Sequence, residues 1–445
     1  MNSHLIKNAL CVNEGKINTA DVLVKNGRIE KIAASISVPY QIAETDASGL
    51  YLMPGVIDDQ VHFREPGLTH KADIGSESKA AVAGGITTFM EMPNTKPAAT
   101  TLQLLEEKYA IASRTSYANY SFFMGTTNEN YDDLMRMNGR NICGLKIFMG
   151  SSTGNMLVDN ENVLSKIFSN FPYLIATHCE DEQTVRSNTE AAKTEYGDKA
   201  TAKIHPIIRN ETACYKSSSF AVQLAQKHNT RLHVLHISTA DELGLFTNQI
   251  PLSQKRITSE VCVHHLWFTS DDYDRLGNKI KCNPAIKDAR HAPLLFEAML
   301  DDRLDIIATD HAPHTLEEKS QGYFDAPSGL PLVQHSLLMM LDFFHQGKIS
   351  LEKIVDKMCH KPAECFRVID RGYLREGYFA DLVLVNLSDN TLVQKANTHY
   401  KCGWSPLEGH RFRSSVAQTF INGFSAYKNG EHTGGLHGSR IIFNH

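Results

Sequence analysis

The stretch Gly55-Val56-Ile57-Asp58-Asp59-Gln60-Val61-His62-Phe63-Arg64 starts as a short apolar run and ends in polar side chains. Runs of this kind recur along the chain, at 55–61, 86–92, 120–125, 145–149, 173–178, 232–237, 257–263 and 305–309. Helix-like stretches lie between them, at 76–83, 102–113, 160–168, 212–228, 240–247 and 292–301. Continuous apolar runs are typical of buried parallel strands, and their alternation with amphipathic helices predicts β/α units.

Eight such runs are the number that closes a TIM-like (β/α)8 barrel. An open doubly wound sheet is the alternative, but no G-x-G-x-x-G follows the first run. Both ends of the chain differ from this pattern, because they carry strand-like pieces with turns at Asn26-Gly27 and Asn422-Gly423. We therefore predict an α/β fold with a barrel over 55–374 and a small β-sandwich domain built from residues 1–54 and 375–445.

The composition argues against several classes of protein. The 445 residues are 42% hydrophobic and 21% charged, with a net charge of −5. The sequence contains no dense block of basic residues, so we expect neither a nucleic acid nor an anionic membrane as a partner. The sequence contains no run of eighteen apolar residues, so we expect no membrane span. The first residues lack the long apolar stretch of a secretory signal. The nine cysteines are scattered without a Cys-x-x-Cys pair, which favours reduced thiols and a cytoplasmic location.

Histidine and aspartate side chains occur where several predicted strands end. His62, His178 and His236 close the first, fifth and sixth runs, and Asp310 follows the eighth. One histidine in such a place is usually a hydrogen-bonded core residue. Because the carboxyl ends of barrel strands meet at one mouth, the four together predict a site for a divalent cation such as zinc.

Lys146 lies inside the apolar run 144–149, where a charged ammonium is costly. It either extends to solvent or pairs with an acid, or burial lowers its pKa and leaves a neutral, nucleophilic amine. Such an amine takes up carbon dioxide as a carbamate, an anion suited to bridging two cations. Asp310 is either a helix cap or a metal ligand that also moves a proton, since a metal lowers the pKa of bound water to ~7. A hydroxide nucleophile beside a carboxylate is suited to hydrolysing an unactivated amide.

Further polar residues surround the same mouth. Arg64 forms either a surface salt bridge with an acid such as Glu65 or a bidentate clamp on a substrate carboxylate. Asn94 and Asn283 follow the second and seventh runs and are candidates for amide hydrogen bonds to a substrate.

The stretch Gly150-Ser151-Ser152-Thr153-Gly154 matches G-x-S-x-G, the nucleophile elbow of serine hydrolases. An elbow opens directly into a helix, whereas residues 155–160 are a poor helix start, so a flexible loop is the better interpretation. Loop 150–156, with Ser152 and Thr153, is a candidate lid over the mouth.

Several segments together resemble the long, type I dihydroorotases of the amidohydrolase superfamily. They are Pro54–Asp58, Val61–Gly67, Met92–Thr95, Ala176–Asp181, Leu235–Thr239, Ala308–His314 and Gly377–Leu384. The resemblance covers nearly the whole chain. It implies a zinc enzyme of pyrimidine biosynthesis that interconverts N-carbamoyl-L-aspartate and (S)-dihydroorotate through metal-activated hydroxide attack on a cyclic amide, and an assembly that is a homodimer or a higher homo-oligomer.

The resemblance also implies roles for particular residues. It makes His62, Lys146, His178, His236 and Asp310 metal ligands, with Lys146 carboxylated on its amine and Asp310 also the general base and acid. It assigns Arg64 and Asn94 to the substrate carboxylate. It adds Asn283 and His314 to the pocket, together with backbone contacts from Ala326-Pro327-Ser328-Gly329.

One residue departs from the family pattern, because Gln60 stands where the family has the first histidine of His-x-His. A neutral amide is a weak zinc ligand, so either one or two ions are expected. Two alternatives stay open: another cyclic amidohydrolase, such as a hydantoinase or allantoinase, or a non-catalytic scaffold related to dihydroorotase. Hydantoinases and allantoinases generally lack the arginine after the first-strand histidine, so Arg64 favours dihydroorotase.

Overall fold

The computed structural model describes residues 3–150 and 155–445. The β-strands are β1 Ser3–Asn13, β2 Lys16–Lys25, β3 Arg28–Ala33, β4 Ala43–Asp46, β5 Tyr51–Pro54, β6 Val56–Val61, β7 Ile86–Glu91, β8 Asn119–Phe122, β9 Met124–Gly125, β10 Leu145–Phe148, β11 Ile175–His178, β12 Leu232–Val234, β13 Ile257–Cys262, β14 Ile306–Ala308, β15 Leu382–Asn386, β16 Thr391–Leu392, β17 Arg411–Phe412, β18 Ser415–Ile421, β19 Phe424–Lys428 and β20 Glu431–His432.

The α-helices are α1 Ile74–Ala83, α2 Leu102–Thr115, α3 Tyr131–Met135, α4 Glu161–Asn170, α5 Glu182–Tyr196, α6 His205–Ile208, α7 Glu211–His228, α8 Val263–Trp267, α9 Tyr273–Leu276, α10 His291–Leu300, α11 Leu316–Lys319, α12 Ser336–His345, α13 Leu351–Val355 and α14 Lys361–Phe366. A π-helical turn, Asp356–His360, joins α13 to α14. None of the described helices combines the length and the apolar character needed to span a bilayer.

The strands between residues 56 and 308 form two parallel sheets. Strands β6, β7 and β8 form the first, and β9 to β14 form the second in the order of the chain. Only Phe123 separates β8 from β9, and its N–H donates to the Glu91 carbonyl at 3.0 Å. At the opposite edges, Val61 and His311 form a parallel bridge, and the His62 N–H donates to the His311 carbonyl at 2.7 Å. All the carboxyl ends of these strands therefore lie on the same side of the fold.

The two ends of the chain share one sheet of nine strands. Its path runs β20-β19-β18-β15-β5-β1-β2-β3, with β4 paired to β1. Strand β5, which comes just before β6, lies between β1 and β15 and so joins the first and last parts of the chain. Beyond this sheet the chain returns to β8, where the Ile441 N–H donates to the Tyr120 carbonyl at 3.1 Å.

Each of the eight predicted runs contains a strand, because uninterrupted apolar sequence suits a segment covered on both faces, and the run 120–125 contains two, β8 and β9. The stretch predicted as a helix at 240–247 is instead the 3-10 helix Ala240–Leu245, and it ends soon after Gly244. Helix α5 was not predicted, since most of its residues are polar and only Val185 and Ala192 are buried. Apolar periodicity finds helices that bury a broad face, and this helix buries very little.

A buried ion pair stabilises the segment that follows strand β6. Lys108 on α2 lies 2.9 Å from Glu91 at the end of β7, and both side chains are almost fully buried. The other Glu91 oxygen accepts the Phe63 N–H at 2.8 Å, so this carboxylate holds the chain between His62 and Arg64. Burial raises the pKa of Glu91 and lowers that of Lys108, and each charge opposes the shift of the other.

We predict that Lys108→Met lowers the free energy of unfolding by about 3–5 kcal/mol, because Glu91 keeps a buried charge without its partner. Denaturant unfolding followed by circular dichroism measures this change, and Lys108→Met with Glu91→Gln should recover part of it. Lys193→Met, which removes an exposed pair with Glu190, is the matched control and should cost under about 1 kcal/mol. Equal losses in the two single variants would contradict a structural role for the buried pair.

Candidate functional site

The predicted site residues lie at or just beyond the carboxyl ends of the parallel strands. His62 follows β6, Lys146 lies within β10, and His178 is the last residue of β11. His236 and Asp310 each lie two residues beyond a strand, β12 and β14 respectively. Among described residues, no three of the four predicted histidine and aspartate ligands bring donor atoms within 4.8 Å of one another. Instead they form two close pairs.

The first pair is His62 and Asp310. The His62 ring donates from Nδ1 to Asn94 Oδ1 at 2.8 Å, so its Nε2 carries a lone pair when the ring is neutral. That Nε2 lies 3.1 Å from Asp310 Oδ1, another atom with lone pairs. Burial lowers the pKa of His62, with Asp310 acting in the opposite direction. Two electron-rich atoms at this distance are stabilised by a cation, either a proton or a metal ion.

Gln60 contacts the same carboxylate as a hydrogen-bond donor. Its Nε2 donates to Asp310 Oδ1 at 3.2 Å, and its Oε1 accepts from the Cys262 thiol at 3.7 Å. An amide nitrogen is not a metal ligand, because its lone pair is delocalised. In this orientation Gln60 therefore does not take the place of a ligand histidine.

The second pair is His178 and His236. His178 Nδ1 lies 2.9 Å from His236 Nε2, and the other nitrogen of His178 donates to Glu180 at 3.0 Å. Arg209 forms an ion pair with the same Glu180 oxygen. Burial raises the pKa of Glu180, but the Arg209 charge and the His178 hydrogen bond outweigh it, so the pKa lies below its usual range. The carboxylate thus fixes the ring of His178 with a lone pair directed at His236.

Lys146 interacts electrostatically with members of both pairs. Its charge lowers the pKa of His62, His178 and His236, while the Asp310 carboxylate acts to raise the pKa of Lys146. Burial dominates and lowers that pKa to about 8, and the amine makes no hydrogen bond to any described residue. A buried amine with this pKa is partly neutral and nucleophilic near neutral pH.

The donor set of these two pairs fits a divalent cation of zinc type. His178 and His236 offer two imidazole nitrogens, His62 and Asp310 offer a nitrogen and a carboxylate oxygen, and Lys146 lies near both. Burial lowers the pKa of all three histidines, which favours the neutral form that binds metals. The fit is weaker at the first pair because of the Gln60 amide.

Three of the predicted site residues have a left-handed backbone, which non-glycine residues rarely adopt. The φ angles are 70° at Arg64, 41° at His236 and 45° at Asp310. Such conformations cost about 1–3 kcal/mol each and persist where the surrounding structure imposes them. Their concentration at the strand ends indicates that side-chain direction there is fixed at the expense of local stability.

Arg64 is a buried cation without a carboxylate partner within 4.0 Å among the described residues. Its Nε donates to the Pro313 carbonyl at 3.1 Å, and Glu65 instead accepts the Ile74 N–H at 3.0 Å. The salt bridge with Glu65 considered from the sequence is therefore not formed. Burial lowers the pKa of Arg64 to about 10, so the guanidinium stays charged at neutral pH and favours an anionic ligand.

His314 lies between the cations Arg64 and Lys71, and Lys71 also forms an ion pair with Glu318 at 2.9 Å. Lys71 donates to the Nδ1 of His314 at 3.0 Å, and both Arg64 Nη2 and the Ser328 carbonyl lie 3.0 Å from its Nε2. Burial and the charges of Arg64, Lys71 and Lys319 keep the pKa of His314 well below its usual value. The neutral ring thus separates two cations and contacts the loop that contains Ser328.

Lys319 holds this loop from inside the protein. Its ammonium group donates to the carbonyls of Lys281, Pro327 and Gly329 at 3.1, 2.9 and 2.8 Å, which uses all three of its protons. Gly329 has a φ of 136°, and a Cβ there would lie 2.4 Å from the Ala312 carbonyl oxygen. The predicted substrate loop 326–329 is therefore packed tightly against the segment that follows Asp310.

Asn94 and Asn283 border the same region, whereas other predicted residues lie outside the part of the chain that the structure describes. Asn94 accepts from His62, and among described residues its Nδ2 has no partner. Asn283 Oδ1 lies 3.2 Å from His205 Nε2, which also donates to the Cys282 carbonyl at 2.8 Å. Ser152 and Thr153, with most of the predicted lid and elbow, lie outside the described residues.

Comparisons with known proteins agree with this arrangement of motifs. The sequence profile of the amidohydrolase family matches residues 51–424. This chain belongs to the amidohydrolase family. A dihydroorotase from Listeria innocua is 31% identical over 436 residues, which are 96% of this chain and 99% of that protein. A dihydroorotase from Halobacterium salinarum is 32% identical over 395 residues, 88% and 89% of the two chains. The resemblance to dihydroorotases found in the motifs is confirmed.

A solved amidohydrolase has nearly the same fold. The L-hydantoinase (dihydropyrimidinase) from Arthrobacter aurescens has a TM-score of 0.94 at 27% identity and covers 100% of both chains. A dihydropyrimidinase from Brevibacillus agri, with a TM-score of 0.89 at 21% identity, supports the fold alone.

Several residues that support this amidohydrolase site were missed from the sequence. Glu180 lies two residues beyond His178, so its position on a predicted strand end was a usable signal. Arg209, His205 and Lys319 carried no such signal, because they come from helices or loops far away in sequence. Their contacts depend on how those segments fold over the strand ends.

We predict that Lys319→Met releases loop 326–329, because each buried carbonyl left without a donor costs about 1–3 kcal/mol. Amide hydrogen exchange of residues 328–332, followed by mass spectrometry, should become faster while exchange in β10 and β11 stays unchanged. Lys227→Met, at an exposed position on α7, is the control. Unchanged loop exchange in Lys319→Met would show that the ammonium does not hold the loop.

Proposed function

We propose that this protein is a dihydroorotase that interconverts N-carbamoyl-L-aspartate and (S)-dihydroorotate with release or uptake of water. The observation that carries the proposal is Arg64, a buried guanidinium beside Asp310 with no carboxylate partner among the described residues. A buried cation is costly unless it is paired, and a substrate carboxylate supplies the missing partner. The relatives named dihydroorotase, of nearly the same length, support the same reaction.

In this proposal Arg64 and Asn94 bind the substrate carboxylate and so orient the ring. Arg64 supplies two parallel N–H donors, and the free Nδ2 of Asn94 supplies a third. His314 and Asn283 line the rest of the pocket. Lys319 keeps the backbone of loop 326–329 in place, so that its polar groups meet the substrate without reorganising.

Asp310 is the proposed proton carrier. In the hydrolytic direction its carboxylate accepts a proton from the attacking water and delivers it to the ring nitrogen as the amide bond breaks. In the reverse direction it accepts the proton of the ureido nitrogen and transfers it to the departing hydroxide, which leaves as water. The left-handed backbone at Asp310 fixes the direction of the carboxylate for both transfers.

Zinc is the proposed metal, and it would polarise the amide carbonyl and acidify water when bound. His178 and His236 would hold one ion together with a carboxylated Lys146. His62 and Asp310 would hold a second, weaker ion, since Gln60 donates a hydrogen bond there instead of a ligand. The proposed stoichiometry is therefore one or two zinc ions in each chain.

The proposed architecture places this chemistry at the mouth of a TIM-like (β/α)8 barrel over residues 55–374. The parallel bridge from Val61 to His311 and the Phe123 hydrogen bond support closure of the two parallel sheets. We further propose that residues 1–54 and 375–445 form the small β-sandwich domain, and that the active form is a homodimer or a higher homo-oligomer.

Measurements on a single protein preparation distinguish this function from two alternatives. A hydantoinase-like cyclic amidohydrolase would hydrolyse hydantoin in preference to dihydroorotate, and a scaffold would hydrolyse neither. Metal content and hydrolysis of both compounds should be measured on the same sample. Zinc together with preferential dihydroorotate hydrolysis supports the proposal, whereas preference for hydantoin or absence of both activities contradicts it.

We predict that Arg64→Lys raises the KM for dihydroorotate about 30-fold, which corresponds to the loss of ~2 kcal/mol from a charge-assisted pair. The lysine keeps the charge but not the two parallel donors. Steady-state kinetics measure the change, with Arg28→Lys in an exposed ion pair as the control. An unchanged KM would refute the carboxylate assignment.

We also predict that Asp310→Asn lowers kcat by about 10²–10⁴-fold, because an amide cannot accept the proton. Elemental analysis of the same variant separates loss of proton transfer from loss of metal. Ser152→Ala should keep normal turnover, since the serine-nucleophile interpretation of 150–154 is not favoured. Loss of turnover in Ser152→Ala with normal turnover in Asp310→Asn would reverse the two assignments.

A further inference from the structure

A second group of ligand-type side chains lies inside the protein, apart from the residues assigned above. Asp59 on β6, His233 on β12 and Glu260 on β13 are fully buried, and one donor atom from each lies within 4.8 Å of the others. His233 Nε2 is 3.1 Å from Glu260 Oε2 and 3.4 Å from Asp59 Oδ2. None of the three has a role in the proposed hydrolysis.

The hydrogen bonds of His233 decide which of its nitrogens is free. The Thr258 hydroxyl donates to the Leu232 carbonyl at 3.2 Å, so its oxygen accepts the Nδ1 proton of His233 at 2.8 Å. A neutral ring therefore directs its Nε2 lone pair at two carboxylate oxygens. This arrangement repels itself unless a cation lies among the three atoms.

The charges of the group are balanced either by one divalent cation or by two protons, and the unpartnered oxygens of Asp59 favour the cation. Among described residues, neither Asp59 nor Glu260 forms an ion pair with a lysine or an arginine, and neither Asp59 oxygen has a hydrogen-bond partner. A proton on His233 alone would leave one uncompensated negative charge in a fully buried site, and a second proton on Glu260, whose pKa burial raises well above its usual value, would neutralise it. A divalent cation with a neutral His233 balances the two carboxylates completely.

The distances also suit a metal ion. Metal bonds of about 2.0–2.2 Å in a tetrahedral site give ligand separations of about 3.3–3.6 Å. The two measured separations, 3.1 and 3.4 Å, lie within a few tenths of an ångström of this range. The Nδ1 proton of His233 is donated to an oxygen, as is usual for histidines that bind metals.

We propose that Asp59, His233 and Glu260 bind a structural divalent cation, of zinc or manganese type, inside the fold. One nitrogen and two carboxylate oxygens form a ligand set that suits such ions. The second Glu260 oxygen accepts the backbone N–H of His236 at 3.2 Å, so the ion stabilises the segment that presents His236 at the mouth. Because the site is fully buried, the ion enters as the chain folds.

Crystals of the full-length protein, expressed in medium supplemented with zinc, test this directly. Diffraction data on both sides of the zinc absorption edge should give an anomalous peak bonded to Asp59 Oδ2, His233 Nε2 and Glu260 Oε2. A peak at His178 and His236 is a separate position and tests the proposed catalytic site. A map without a peak at Asp59, His233 and Glu260 overturns the proposal and leaves protons on His233 and Glu260 to balance the charge.

Matched variants give a second measurement in solution. Asp59→Asn keeps the shape of the side chain and should contain one zinc ion fewer per chain than the unaltered protein. Asp58→Asn is the control, because Asp58 is also buried but accepts hydrogen bonds from Thr309 instead. Zinc content that stays unchanged in Asp59→Asn, or falls equally in Asp58→Asn, overturns the proposal. Dihydroorotate hydrolysis measured alongside reports on the proposed function independently.

Discussion

The cost of burying charge is the constraint on which the rest of this structure depends. Arg64 and Lys146 are cations held inside the fold without direct carboxylate partners among the described residues, and Asp310 lies close to both. Buried charged groups of this kind are stable only where a ligand of opposite charge binds them, or where their pKa shifts so that they become neutral. In the proposed function, the same property provides an arginine for an anionic substrate, a nucleophilic amine and histidines for a metal ion.

The surrounding structure supplies the support that these groups require. The pair of Lys108 and Glu91 fixes the chain around His62 and Arg64, and Glu180 with Arg209 fixes the ring of His178. Lys319 fixes the loop opposite them through three carbonyls. In each case a buried charged group lies against partners that the fold holds in place, so the side chain or loop that it positions has little freedom. A preorganised site of this kind loses little energy to rearrangement during a reaction.

Much of the candidate site was predictable because parallel strands place their last residues together. His62, His178, His236 and Asp310 were found from their positions after apolar runs, and Lys146 from its place within one. The sequence could not show that these ligands form two pairs, or that Gln60 donates to Asp310 instead of replacing a histidine. Those outcomes depend on side-chain rotamers and on neighbours that are distant along the chain.

The sequence by itself determined the succession of β/α units, the strand-end residues and the family, because hydrophobic period and motif spacing are local properties. Tertiary structure alone decided which charges remain unpaired. Glu65 turns to the start of α1 and so leaves Arg64 without a carboxylate partner among the described residues, and Asp59 meets His233 and Glu260 from strands that are far apart in sequence. Pairing of charges depends on distance in space, which local sequence patterns do not encode.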